Sequence, residues 1–207
     1  MTPKKQHEVE KMCALIQNVA TRTRHIVDIG AGQGYLTRNL ATRPLCFDIL
    51  ALDSNEQQVE GAAKRQAELE KWQHKVFGRR KAKAQELNDE LPSSINSFPT
   101  EEPAGTITPT TVFVDAATLP PVIDEWIERE TGTEDPVPLL LVGLHACGSL
   151  TPAILRSFIA LSDLQKSMST PERSWRCSGL VLVGCCYNRI RDIERGQFYY
   201  TDKEIIL

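Results

Sequence analysis

The chain has 207 residues, of which 41% are hydrophobic and 25% charged, and its formal net charge is −3. This length suits one sizeable domain with its own core, and the nearly balanced charge excludes a global attraction to nucleic acid or anionic membranes. No apolar run approaches the roughly 20 residues of a membrane span, and we expect no secretion signal. The six cysteines are therefore interpreted as reduced thiols of a cytoplasmic or nuclear protein.

Amphipathic helices and buried strands alternate along the chain. The first helix is predicted to begin after the capping residue Thr2, with Pro3 at its first position. Its apolar face is predicted to contain Val9, Met12, Cys13, Ile16, Val19 and Ala20. Strands are then predicted over residues 25–30, 47–53, 111–116, 138–146 and 179–186. Helices are predicted over residues 55–86, 121–130 and 151–164. The second of them is predicted to face inward with Val122, Ile123, Trp126 and Ile127. The third is predicted to have Thr151 as its cap and Pro152 at its first position.

This alternation predicts the fold class. Continuous apolar strands separated by helices indicate an α/β protein with a Rossmann-like, doubly wound sheet, mainly parallel, of five or more strands with helices on both faces. The whole chain, 1–207, is predicted to form a single domain. Because crossovers are right-handed, the carboxyl ends of the strands share one edge, where ligands bind in such folds.

Two segments depart from this pattern. A helical and flexible insertion is predicted at about 56–110, and its later part, rich in Pro, Ser and Thr, is expected to be a loop. Its earlier part, "KWQHKVFGRRKAK", either contacts RNA or is a solvated helix whose aromatic residues pack on the sheet. The candidate RNA-binding cations are Lys71, Lys75, Arg79, Arg80, Lys81 and Lys83. Near the end, "QFYYTDKEIIL" could supply one further strand.

The run "VDIGAGQGYL" ends the first strand in a glycine-rich turn. Glycines there let the backbone turn sharply and approach a ligand closely. The spacing is G-x-G-x-G rather than the dinucleotide pattern G-x-G-x-x-G, and an acid, Asp28, stands two residues before Gly30. A carboxylate suits a cofactor with a cationic sulfonium and an amino-acid end, which favours S-adenosylmethionine.

Acids also close the next two strands. Asp53 is positioned to accept hydrogen bonds from both ribose hydroxyls, and Asp115 is predicted to bind the adenine amino group. Three acids ending three successive strands strengthen the cofactor prediction. The predicted cofactor-binding residues are Asp28, Gly30, Ala31, Gly32, Gly34, Asp53, Ser54, Asp115, Ala116 and His145.

These residues resemble the class I S-adenosylmethionine-dependent methyltransferases over roughly residues 2–188. The motifs "TPKKQHEVE", "GLHACGSLT" and "GCCYN" are similar to a eukaryotic methyltransferase-like family that includes ribosomal RNA adenine dimethylase domain-containing proteins. A similar His-x-Cys-Gly and Cys-Cys pairing occurs in a family of tRNA 2′-O-methyltransferases. The resemblance implies methyl transfer to a macromolecule, with RNA (rRNA or tRNA) favoured over protein.

The fourth and fifth strands end in reactive side chains at the edge where an acceptor would sit. The Asn/Asp-Pro-Pro-Tyr/Phe motif of adenine N6 methyltransferases is replaced by "LHACG", which counts against base N-methylation by that route. The predicted catalytic residues are His145, Cys147, Cys185 and Tyr187, with His145 as a base or orienting group. Two alternatives stay open: zinc binding by His145, Cys147, Cys185 and Cys186, or cysteines that only fill space. Because adjacent cysteines usually point to opposite faces, no metal is predicted.

Two further questions stay open at this point. Lys4, Lys5, His7 and Glu8 either reach the cofactor or substrate or form the solvated start of a helix. The alternative function is a non-catalytic methyltransferase-like module that binds the cofactor or a protein partner. It is suggested by the atypical acceptor motif and by the few residues that follow the fifth strand.

Overall fold

The computed structural model describes residues 1–69, 71, 105–130, 136–167 and 173–190. The order of elements is α1 (Pro3–Val19), β1 (His25–Ile29), α2 (Tyr35–Ala41), β2 (Asp48–Asp53), α3 (described over 56–69), β3 (Ile107–Thr111), α4 (Leu119–Glu130), β4 (Val137–Cys147), α5 (Leu150–Ser167), β5 (Trp175–Cys185) and a 3-10 turn (Tyr187–Arg189). The described part of the chain contains no helix long and apolar enough to cross a membrane.

The five strands form one sheet in the order β3-β2-β1-β4-β5, and all neighbouring pairs are parallel. The predicted Rossmann-like α/β fold is therefore confirmed. The strand order reverses at β1, which lies between β2 and β4. Such a reversal places a crevice outside the carboxyl ends of β1 and β4, and the candidate site lies there.

Helices cover both faces of the sheet, and each face has its own apolar core. One core joins α4 and α5 to the sheet, and the predicted inward residues Ile123, Trp126 and Ile127 are buried in it. The other joins α1 and α2 to the opposite face. The predicted face of α1 is correct except for Val19, which is 49% exposed because it lies at the margin of the apolar stripe in the last helical residue.

The third strand lies earlier than predicted. The apolar run Val112–Val114 resembles a strand, but β2 ends at Asp53, which pairs with Thr111. Only the Val112 N–H continues the pairing, donating to the Asp53 carbonyl at 2.9 Å. The strand therefore occupies Ile107–Thr111, where Pro109 is tolerated because β3 is an edge strand of the described sheet.

One of the two predicted helix caps is correct. Thr2 caps α1, with its hydroxyl oxygen 3.4 Å from the Lys5 nitrogen. Thr151 does not cap α5, because that helix begins at Leu150 and the Thr151 hydroxyl instead donates to the Ala146 carbonyl at 2.6 Å. The cationic segment after Lys71, the predicted loop up to residue 104 and the possible strand after residue 196 lie outside the described residues. The end of that predicted loop is wrong, since residues 107–110 belong to β3.

Candidate active site

The glycine loop after β1 adopts a backbone that only glycine accepts easily. Gly30, Gly32 and Gly34 have φ values of +77°, +53° and +68°. The N–H groups of Gly30 and Ala31 donate to the Leu52 carbonyl at 2.8 and 3.0 Å, which ties the loop to the end of β2. A side chain on Gly32 would meet nothing closer than 3.9 Å, so the space above the loop is open to a ligand.

Gly30→Ala is expected to lower the free energy of unfolding by about 1–2 kcal/mol, because the left-handed backbone disfavours a Cβ by that amount. The new Cβ would also lie 2.9 Å from the Leu150 side chain at the start of α5. Urea unfolding followed by circular dichroism measures the effect. The control is Gly61→Ala in α3, where alanine is favoured by about 1 kcal/mol and only the flexible end of Arg65 is near. Equal stability of the two variants would contradict the prediction.

Asp53 connects the glycine loop to the start of α3. Its Oδ2 accepts from the Gly32 N–H at 2.8 Å, and its Oδ1 accepts from the Asn55 N–H at 2.9 Å. The side chain is half-buried at the carboxyl end of β2. It is therefore fixed beside the loop while part of its surface stays accessible to a ligand.

Asp28 is placed differently from the other predicted cofactor acids. It is 1% exposed, and its Oδ2 accepts from the Thr37 hydroxyl of α2 at 2.6 Å. Burial, reinforced by the nearby Asp53 charge, raises its pKa to about 6, although the Thr37 hydrogen bond opposes the rise. Because it lies beneath the loop, Asp28 would act on a cofactor through the loop and not by direct contact.

Asp115 stabilises the turn that precedes α4. Its Oδ1 accepts from the N–H groups of Ala117 and Thr118 at 2.8 Å each, and its own N–H donates to the Thr118 hydroxyl at 2.9 Å. The backbone N–H of Thr118, then that of Ala117, lowers the pKa of the Asp115 carboxyl. Asp115 lies four residues beyond the end of β3, and Ala116 beside it is exposed.

A cleft of about 400 Å³ lies at the carboxyl edge of the sheet, within the size range of small-molecule sites. Five predicted residues line it: Gly30, Asp53, Ser54, His145 and Cys147. Phe113 also lines it with a 71% exposed side chain, and sequence reasoning missed this residue because it was placed within a strand. The cleft therefore joins the predicted cofactor and acceptor residues.

A second cleft, of about 210 Å³, lies between α2, α3 and the sheet. It is lined by the other predicted residues of the glycine loop, Ala31, Gly32 and Gly34, and Asp53 lines both clefts. Its floor includes Ala51 and Pro109, which are inside strands and not beyond their ends. Because ligands of this fold bind beyond the strand ends, the first cleft is the better candidate site.

His145 contacts the N-terminal helix. Its Nε2 lies 3.0 Å from Glu8 Oε2, so Glu8, one of the four polar residues singled out near the N-terminus, reaches the site. Of the others, Lys4 pairs with Glu8 at 3.8 Å, Lys5 lies 4.6 Å from the centre of the Tyr35 ring, and His7 is exposed. His145 itself has a φ of +63° and interrupts the β4–β5 register, as a β-bulge does.

The structure brings the predicted cysteines together. Cys147 pairs with Cys185 across β4 and β5, and their sulfur atoms are 2.9 Å apart. Cys186 follows β5 directly, and its sulfur lies in the same group. Tyr187 begins the 3-10 turn, and its side chain lies outside what the structure describes.

The amino-acid sequence matches a known protein family. The sequence profile of a family described as a methyltransferase domain matches residues 4–193. The chain belongs to this methyltransferase family. It is of the class I type, and its cofactor is S-adenosylmethionine.

Individual relatives of this methyltransferase domain are distant. A segment of 73 residues is 34% identical to the probable methyltransferase-like protein 25 of Mus musculus, covering 34% of this chain and 12% of that protein. A crystal structure of the plantazolicin methyltransferase BamL, in complex with a triazolic desmethylPZN analog and SAH, has 12% identity and a TM-score of 0.34. The superposition covers 77% of this chain and 45% of that one.

The methyltransferase domain has residues that fit S-adenosylmethionine. Gly30 brings the glycine loop to the larger cleft, and the half-buried Asp53 offers carboxylate oxygens to hydroxyl donors there. Gly30, Asp53 and Ser54 would hold the cofactor in the larger cleft, next to the exposed ring of Phe113. The cofactor, when bound, supplies an electrophilic methyl group on a sulfonium.

Proposed function

We propose that the chain methylates RNA, with a ribose 2′-hydroxyl as acceptor and His145 as proton acceptor. The observation that carries the proposal is the 3.0 Å contact of Glu8 with His145 Nε2 at the wall of the cleft that also contains Asp53. A carboxylate at Nε2 favours a proton on that nitrogen, so the neutral ring has Nδ1 as its acceptor.

The chemistry follows from this tautomer. His145 Nδ1 would accept the proton of the acceptor O–H as that oxygen takes the methyl group, which S-adenosylmethionine would supply from its sulfonium and so become a neutral thioether. Glu8 stabilises the positive ring that results. A hydroxyl acceptor must lose its proton during methyl transfer, so a base in this position would assist the reaction.

RNA is favoured over protein by two features of the chain. Phe113 exposes most of its ring at the cleft, and such rings stack on unpaired bases. The cationic segment from Lys71 to Lys83 follows α3 in sequence and would contact phosphates. The thiols Cys147, Cys185 and Cys186 are free, which suits the cytoplasmic or nuclear location that we propose.

The test is methyl transfer from radiolabelled S-adenosylmethionine to fractionated cellular RNA and protein. We expect label in RNA, and nuclease digestion with mass spectrometry should give 2′-O-methyl nucleosides. Label in the protein fraction, or in methylated bases, would refute the acceptor. Cofactor binding without any transfer would favour the alternative, a non-catalytic binding module.

Glu8→Gln is expected to lower kcat about tenfold, which corresponds to about 1.4 kcal/mol of lost stabilisation of the positive ring. The KM for S-adenosylmethionine should stay unchanged, because Glu8 is not among the described residues lining the cleft. The control is Glu10→Gln on the same helix, where the carboxylate pairs only locally with Gln6 at 2.9 Å. Equal kcat values for the two variants would remove Glu8 from the mechanism.

A further inference from the structure

We propose that Cys147, Cys185 and Cys186 bind a zinc ion at the carboxyl edge of β4 and β5. One ligand atom from each residue lies within 4.8 Å of the other two. Tetrahedral zinc with Zn–S bonds of about 2.3 Å holds its sulfurs about 3.8 Å apart. The Cys147 and Cys185 sulfurs are 2.9 Å apart, which is closer than this, so these two side chains would move apart slightly to hold one ion.

The backbone removes the objection that adjacent cysteines point apart. Side chains alternate along a strand, but β5 ends at Cys185, and Cys186 has a φ of +52°. This left-handed conformation turns the Cys186 side chain back toward the same group. On β4, the register shift at His145 places Cys147 opposite Cys185.

Two turns hold the three cysteines in place. The Gly148 N–H donates to the Cys185 carbonyl at 3.2 Å, and the Arg189 N–H donates to the Cys186 carbonyl at 2.9 Å. The turns pack closely, because a Cβ on Gly148 would lie 2.9 Å from the Arg189 carbonyl oxygen. A strained backbone that the surrounding contacts hold in place is often found where side chains are positioned for a function.

The exposure of the cysteines argues against a role as packing. Cys147 and Cys186 are exposed and Cys185 is half-buried, whereas space-filling cysteines such as Cys13 are buried. Thiolates favour zinc over harder cations such as magnesium and calcium. Three protein ligands leave a fourth position open, as in catalytic zinc sites, and Cys147 also lines the cleft. The ion would therefore lie within reach of a bound acceptor.

The experiment uses the full chain, reduced and stripped of metal, and titrates it with Zn²⁺ in competition with a chromogenic chelator. We expect one zinc ion per chain. The affinity should fall at least tenfold, and up to about 100-fold, in Cys147→Ser, Cys185→Ser and Cys186→Ser, since even supporting residues of metal sites have effects of that size. The control is Cys46→Ser, a half-buried cysteine before β2 at the opposite edge of the sheet, which should bind as the parent chain does.

A second variant keeps all three sulfurs. Gly148→Ala should weaken zinc binding because its Cβ displaces the Arg189 turn, and circular dichroism verifies that each variant remains folded. Cobalt substitution gives an independent measure, since thiolate ligands produce charge-transfer absorption that should be weaker in each serine variant, which has one thiolate fewer. The proposal is overturned if the reduced chain binds no zinc or if the three serine variants bind it as tightly as Cys46→Ser. A Cys147–Cys185 disulfide in place of bound zinc would also overturn it. None of these measurements needs methyl transfer, so this inference and the proposed function fail separately.

Discussion

Asp53→Ala is expected to lower the affinity for S-adenosylmethionine and S-adenosylhomocysteine by about 100-fold or more. Two hydroxyl donors on one carboxylate contribute about 1.5–3 kcal/mol each, and the substitution removes both. It also releases the Gly32 N–H, which donates to Asp53 Oδ2 at 2.8 Å, so the loop loses one of its bonds to the end of β2. Isothermal titration calorimetry with both ligands measures the change.

The control for Asp53 removes a carboxylate nearby without touching the cleft. Glu56 is exposed in the first turn of α3, three residues further along, and Glu56→Ala should bind both ligands as the parent chain does. Because Asp53 lines both clefts, unchanged binding by Asp53→Ala would show that the cofactor does not depend on this carboxylate in either of them. Equal losses in both variants would indicate an effect of net charge instead of a specific contact.

Asp28→Asn is expected to stabilise the chain at pH 8 by up to about 3 kcal/mol, because the pKa of Asp28 is about 6 when folded against an ordinary value of 3.8. Below the ordinary pKa the carboxyl is neutral in both states and burial is tolerated. As the pH rises to about 6, the unfolded chain ionises first, so the folded state loses stability. Asparagine stays neutral and can still accept the Thr37 hydrogen bond.

Urea unfolding at a series of pH values between 4 and 8 measures this effect. The parent chain should lose stability over that range relative to Asp28→Asn, and the two curves should converge near pH 4. Glu128→Gln on the exposed side of α4 is the control, and its difference from the parent should not follow this profile. Parallel curves for Asp28→Asn and the parent would mean that Asp28 is ionised without penalty in the folded chain.

The parallel sheet could be predicted from the sequence because apolar runs recur along the chain between helices. Each such run must be buried on both sides, which a parallel sheet between two layers of helices provides. The sequence was insufficient at β3, where the apolar run at Val112 suggested a strand. The length of that strand is decided by its partner, since β2 ends opposite Thr111. Local pattern cannot report where a distant partner ends.

The candidate site could likewise be predicted in part. The glycines, Asp53, His145 and Cys147 could be found from their positions at strand ends. The pairing of Glu8 with His145 could not, because it depends on how α1 packs across the sheet. The convergence of Cys185 and Cys186 depends on a single left-handed residue that neighbouring letters do not specify.

The contact between Glu8 and His145 also has a consequence for how the domain assembles. Helix α1 precedes β1 in the chain, yet its Glu8 carboxylate can reach the His145 imidazole only once β4 has paired with β1. Until then, His145, the proposed base, would have no orienting partner, and the cleft would lack the side that His145 lines. A chain in which β4 is not yet paired would keep the glycine loop, because that loop is tied to the end of β2, but would lack the Glu8–His145 contact on which the proposed transfer rests.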